Sequence, residues 1–337
     1  MWHRRSPLRR TGLLLALAAA LALAVPASHP AAADPSRPHS TTTAAVGRDG
    51  YYWIDYFRAI GGLSPVSRDA TMEAQEASHI RYLADHSLAC ESDVHDELTS
   101  RRADCGANPY ATAAGKLAAN NSDITRVNAA VSDQVAVRNW FVSGFHALTL
   151  LEPRLRSTGY AAYYTAQPTG AGPNPYQFTA GVDVYRGRTG HYSGRVLAFP
   201  GTGSTSPLLG YRVGTESPEP FGSTLPDQPC HSWAALDEVS APIIVQWPVQ
   251  WPTQWPLSRR PTAAPAAIVD VTDGRPLPTC TLTADQYPAG SLAHTLLAGT
   301  NRITRAALYY ANAPFRSGHR YQLLVSSTVL TDFRTAG

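Results

Sequence analysis

The sequence predicts an α+β chain built in two parts, helical first and all-β second. Two patterns predict it. Between Tyr51 and about Leu151 apolar residues recur at helical spacing; after Gly159 they give way to short β-branched and aromatic runs between Gly/Pro turns. A third observation sets the compartment: an arginine-led apolar start and an even number of cysteines mark an exported chain.

Arg4, Arg5, Arg9 and Arg10 precede an apolar run at residues 13–25, and Ala31-Ala32-Ala33 before Asp34 forms a small-residue cleavage site. Residues 1–33 therefore read as a signal peptide. The alternative is an uncleaved anchor, but the run is shorter than the roughly 20 residues that cross a bilayer. Arg9-Arg10 also admits a twin-arginine export route. Residues 34–48, rich in Pro, Ser, Thr and Ala, read as a disordered leader. Removing four arginines and no acid from a formal charge of +3 leaves −1. That balance is not the footprint of a nucleic-acid binder. No second long apolar run follows, so no transmembrane segment is expected after cleavage.

The helical part opens with residues 52–60, stopped by Gly61-Gly62. Ser67 is placed to cap a second helix, in which Ala70, Ala74, Ala77, Ile80 and Ala84 recur at helical spacing. Residues 90–121 are polar and loop-like. Ser132 can cap a third helix running through Val135 to Trp140. Residues 160–164 and 178–184 read as strands on either side of a Pro/Gly loop at 168–175. Further strand signals lie at 195–199, 243–247, 267–271, 305–310 and 320–330, the spacing of a β-sandwich. Residues 49–188 and 189–337 are the two expected domains. Of the three pairings open to Cys90, Cys105, Cys230 and Cys280, sequence locality favours Cys90 with Cys105 and Cys230 with Cys280. No Cys-x-x-Cys spacing suggests a metal cluster.

The most informative block is Trp140-Phe-Val-Ser-Gly-Phe-His146, followed by an apolar run, Glu152-Pro153 and Gly159. In that order it resembles the secreted CAP (SCP/PR-1-like) domain. Upstream, Asp55-Tyr-Phe-Arg58 with Gly62-Leu63-Ser-Pro65, and Ala74, Ala77, His79 and Tyr82, match further family blocks. The resemblance covers roughly residues 51–186 and implies a three-layer α-β-α sandwich. Residues 313–321 are similar to the end of bacterial Ig-like domains, which implies an Ig-like β-sandwich for the second part. The CAP pocket usually holds two histidines and two acids. His146 matches the later histidine, and His95, in Asp93-Val-His95-Asp-Glu97, stands where the earlier one is expected. The family's Gly-Glu-Asn is replaced here by a stretch ending in Asn120-Asn121-Ser122, so Glu97 or Asp96 is the candidate carboxylate.

Two imidazoles and a carboxylate around one cavity suit Zn²⁺ or proton transfer. His95 and His146 are therefore also the candidate metal ligands, and zinc the one cofactor implied. The bland reading is two histidines that bond backbone and line an inert groove. His79 reads as a helix-face residue. A serine hydrolase is excluded, since no Gly-x-Ser-x-Gly occurs. The favoured function is non-catalytic binding of a lipid, wall glycan or protein ligand, with no catalytic residue assigned. The rivals are a metal- or histidine-dependent hydrolase using the cleft and an adhesion module acting through the β-sandwich. The expected location is secreted or cell-surface associated. Outside the family match, Gln-Trp-Pro recurs three times, with Trp247, Trp251 and Trp255. Proline at every fourth residue predicts an extended loop, its tryptophans either an aromatic platform for glycan or packed back on the sandwich.

Overall fold

The computed structural model describes residues 49–85, 94–95, 97, 108, 110–164, 176–192, 194–222, 224, 226, 230–248, 265–299 and 304–337. The expected signal peptide and leader, Cys90, Asp96, Cys105, Trp251 and Trp255 lie outside the described residues. Among those described, six helices and several sheets make a mixed α+β protein. None of the helices is long and apolar enough to cross a membrane.

Helix α1 (Gly50–Ile60) starts at Asp49, whose carboxylate accepts from Tyr52 N at 3.2 Å. Its helical period buries Tyr51, Ile54 and Phe57. Phe57 stacks on Phe141 of α4 (Asp133–Val142), ring centroids 4.7 Å apart. Ser67 is not a cap. It forms β1 (Ser67–Arg68), paired in parallel with β3 (Ser157–Thr158). Asp69 caps α2 (Ala70–Asp85) instead, accepting from Thr71 N at 2.9 Å and Met72 N at 3.0 Å. A carboxylate serves a helix N-terminus better than a hydroxyl because it also meets the helix dipole. Ser132 holds the N-cap position of α4 without a side-chain bond.

The stretch expected to be loop contains α3 (Ala113–Ala119), capped by Thr112, and leads into an unforeseen strand, β2 (Ser122–Val127). Strand β2 pairs with β5 (Phe178–Asp183), which pairs in turn with β4 (Tyr160–Tyr164), all antiparallel. Every residue of β5 is buried, so both its faces are covered. Phe178, Ala180 and Val182 join Trp140 and Phe141 in the main core. Gly181 faces α2, where a Cβ would lie 2.0 Å from Glu76 Oε1. Helices therefore lie on both faces of this sheet.

Helix α5 (Gly144–Leu150) follows α4 directly. The second part begins with β6 (Leu197–Phe199), β7 (Thr205–Ser206), β8 (Gly210–Arg212), β9 (Glu238–Ser240) and β10 (Ile243–Pro248). It continues with β11 (Ala266–Asp270), β12 (Arg275–Leu277), β13 (Thr279–Leu282), helix α6 (Leu292–Ala298), β14 (Thr304–Ala311), β15 (Arg320–Val325) and β16 (Thr328–Thr335). Among the described residues these strands form two larger sheets, ordered β13-β14-β10-β6 and β12-β11-β15-β16-β7, and a two-stranded sheet of β8 and β9. The single strand read at 320–330 is a hairpin, turned by Ser326 and Ser327 at φ 47° and 66°. Two residues at positive φ match the twist of the flanking strands. Trp247 is not a loop residue. It pairs within β10 and is 8 % exposed, packed into the core. Cys230 and Cys280 are disulfide-bonded across a 5.6 Å Cα separation.

One core runs from Tyr51 to Phe333, and the described residues belong to a single compact unit. Phe141 meets Phe199, and Phe145 meets Tyr287, with centroids 5.7 and 5.8 Å apart. The packing therefore continues across residue 188. Arg58, fully buried, donates to the carbonyls of Ser64, Leu150, Glu152 and Leu155. Asp55 accepts from Val66 N at 2.8 Å. Both residues of the Asp-x-x-Arg block are structural ties.

Candidate functional site

The site is set by the junction of α4 and α5. Gly144 is required there because a Cβ would sit 2.3 Å from the Tyr310 hydroxyl of β14. Ser143 turns its hydroxyl back to Asn139 O at 2.8 Å and leaves the α5 N-terminus uncapped. Glu216, seventy residues on, supplies the cap. Its Oε1 accepts from Phe145 N at 2.7 Å, from His146 N at 2.9 Å and from His146 Nδ1 at 2.9 Å. The Glu216 side chain is fully buried and that of His146 is 18 % exposed. This contact keeps Nδ1 protonated, and Nε2 has no protein partner among the described residues.

His146 and His95 line the same cavity, of about 170 Å³. His95 donates from Nδ1 to Ala119 O at 2.9 Å. Asn120, Ser122, Asp123 and Thr149 complete the polar side. The lining also includes Phe145, Pro218 and, from α6, Leu292 and Leu296. The cavity therefore draws on both parts of the chain. Asp123 is buried, and burial pushes its carboxyl up from the ordinary range against the pull of His146 and Thr149. Burial lowers the His146 pKa, but Asp123 and Glu216 outweigh it and bring the imidazole up to about 9. At neutral pH the ring is a cation.

Glu97, the carboxylate expected beside His95, does not line this cavity. It is buried against His79, with Glu97 Oε1 2.8 Å from His79 Nδ1, and it accepts from Thr112 N at 2.9 Å. His79 is not a plain helix-face residue: it is fully buried, and Nε2 reaches Val94 O at 2.9 Å. A buried imidazole needs partners at both nitrogens, and Glu97 is one of them. The acids that do serve the cavity are Asp123 and Glu216. Asp123 stands beside Ser122, three residues past Asn120. Glu216 lies in a loop with no local signal.

A protein zinc site needs at least three converging ligands. Among the described residues, the set whose donor atoms lie within 4.8 Å of one another is Asp270, Asp273 and His319, not the cavity residues. There the Arg316 guanidinium already bridges Asp270 and Asp273. The cavity residues as arranged do not fit a resident zinc. Trp247 contributes nothing to the cavity. No family model matches the chain, and neither a curated protein nor a solved structure matches it.

Proposed function

We propose that the protein is an exported, CAP-like binding module with an Ig-like second part, and that its cleft holds the anionic head of an amphipathic ligand without chemical turnover. One observation carries this reading. His146 is held as a cation, its Nε2 free of protein partners among the described residues, in a cavity also lined by Leu292 and Leu296 of α6. A cationic donor and an apolar surface in one cavity suit a molecule with a charged head and a hydrocarbon body. The volume argues for a head group and the start of a chain, since a whole drug-sized ligand fills roughly 300–1,000 Å³. The order of motifs around Trp140, His146 and Gly159 supports the CAP-like part of the reading.

Binding is favoured over hydrolysis because a ring already protonated at neutral pH is no general base there. Ser217 also lines the cavity, yet it makes no hydrogen bond to His146 that would activate it. The test is calorimetric titration with decanoate at pH 7, with decanol as the uncharged control. We expect saturable binding of decanoate, weaker binding of decanol, and a loss of about tenfold or more for His146→Gln. Equal binding of acid and alcohol, or an unaffected variant, would refute the role given to His146.

A further inference from the structure

Behind the cavity lies a carboxyl group that the binding reading does not use. Glu76 of α2 is 0 % exposed and packs against Gly181 of β5. Its Oε2 is bonded to the hydroxyl of Ser122, and Ser122 lines the cavity. The same hydroxyl is 2.8 Å from Ala118 O. A serine hydroxyl has one hydrogen, and Ala118 O already accepts from Asn121 N at 2.8 Å. An ionised Glu76 therefore takes the serine hydrogen, whereas a protonated Glu76 gives its own hydrogen to Ser122 Oγ and leaves the serine hydrogen to Ala118 O. The bond between Glu76 and Ser122 reverses with the protonation of Glu76.

Burial and the neighbouring acids favour the protonated form of Glu76. Asp123 on β2 and Asp183 on β5 both repel a carboxylate at this position. Arg186, the cation acting on it, bonds Asp183 through Nε and Gln75 through Nη1. Arg186 Nη2 and Glu76 Oε1 are both buried and unpartnered, with no ion pair between them. Asp123 differs in having the His146 cation beside it. Among the described residues Glu76 forms no ion pair, and Gly181 packs directly against its Oε1 on the sheet side.

We propose that Glu76 is a proton-linked switch for the cleft: protonated, it lets Ser122 present a neutral floor to an anionic ligand, and on ionising it repels that ligand and releases it. The inference rests on the binding reading above and adds its regulation. Burial, opposed by the Ser122 bond and reinforced by Asp183, brings the Glu76 carboxyl up to about 8, so the switch works on the alkaline side of neutral. If only the protonated form binds, affinity falls about tenfold between pH 7 and pH 9 by linkage. His146, at about 9, adds roughly a twofold decline over the same interval.

Two measurements test this on the mature protein. Infrared spectroscopy without ligand, at pH 7, should show the carbonyl band of a protonated carboxyl that vanishes at pH 10 and is absent from Glu76→Gln. Decanoate titrations at pH 7 and 9 should show the full decline in the wild type and only the residual twofold decline in Glu76→Gln. Ser122→Ala, which cuts the relay, should keep the infrared band and flatten the pH dependence. A missing band, or a Glu76→Gln protein whose affinity still falls tenfold, would overturn the switch. Absence of decanoate binding by the wild type at either pH would instead refute the binding reading and with it any coupling to ligand, the infrared band still deciding the state of Glu76.

Discussion

Replacing Glu216 by glutamine separates the two things this residue does. The amide oxygen can still cap α5, but the charge that holds His146 as a cation is gone. His146 is raised from 6.5 to about 9, and about 2.5 units at 1.36 kcal/mol each amount to about 3 kcal/mol shared with Asp123. The sign follows from linkage. A histidine whose folded pKa is raised contributes stability that is complete below the unfolded value of 6.5 and is lost as pH rises through about 9. Glu216→Gln should therefore cost about 1–3 kcal/mol at pH 7 and much less at pH 10. The His146 pKa should fall by at least about one unit, since burial lowers it and only Asp123 remains to raise it. Urea melts at the two pH values and an imidazole NMR titration measure both effects. Glu216→Ala should add a pH-independent loss of about 1 kcal/mol from the missing cap. An unchanged His146 titration, or an equal stability loss at pH 7 and pH 10, would refute the ion-pair account.

Three further outcomes follow from the packing. Glu76→Gln should gain on the wild type as pH rises from 4.5 to about 8, by up to about 5 kcal/mol, because the native state holds a proton that the unfolded chain releases across that window; chemical denaturation at pH 5 and pH 9 checks it. Arg58→Met should cost about 3–5 kcal/mol in urea unfolding, since three buried carbonyls and the part-buried carbonyl of Ser64 lose a donor. Replacing Cys230 and Cys280 together by serine opens a cross-link of sequence separation 50 and should cost about 4 kcal/mol in the chain-entropy model, read from the shift in denaturation midpoint.

The sequence by itself determined those elements whose signal is local. Helix α1 carries its own stop at Gly61-Gly62, and β4, β5 and β10 are dense in residues that suit a buried strand. Cys230 and Cys280 stand in one half of the chain, and they are joined. His95 and His146 could be named together because both sit in blocks with a recognisable order, and both line the cavity. Tertiary structure decided what local pattern leaves open. Strand β2 exists because β5 pairs with it, not because Ser-Asp-Ile-Thr-Arg-Val declares a strand. The 320–330 run became a hairpin because two serines accept positive φ, which no spacing announces. The carboxylates were decided by distance in space. Glu97, two residues from His95, was drawn to the buried His79, whereas Glu216 was brought to His146 across seventy residues by the core that both parts share. A carboxylate goes where buried donors would otherwise be unpaired, and that demand is set by the folded interior rather than by neighbours in sequence.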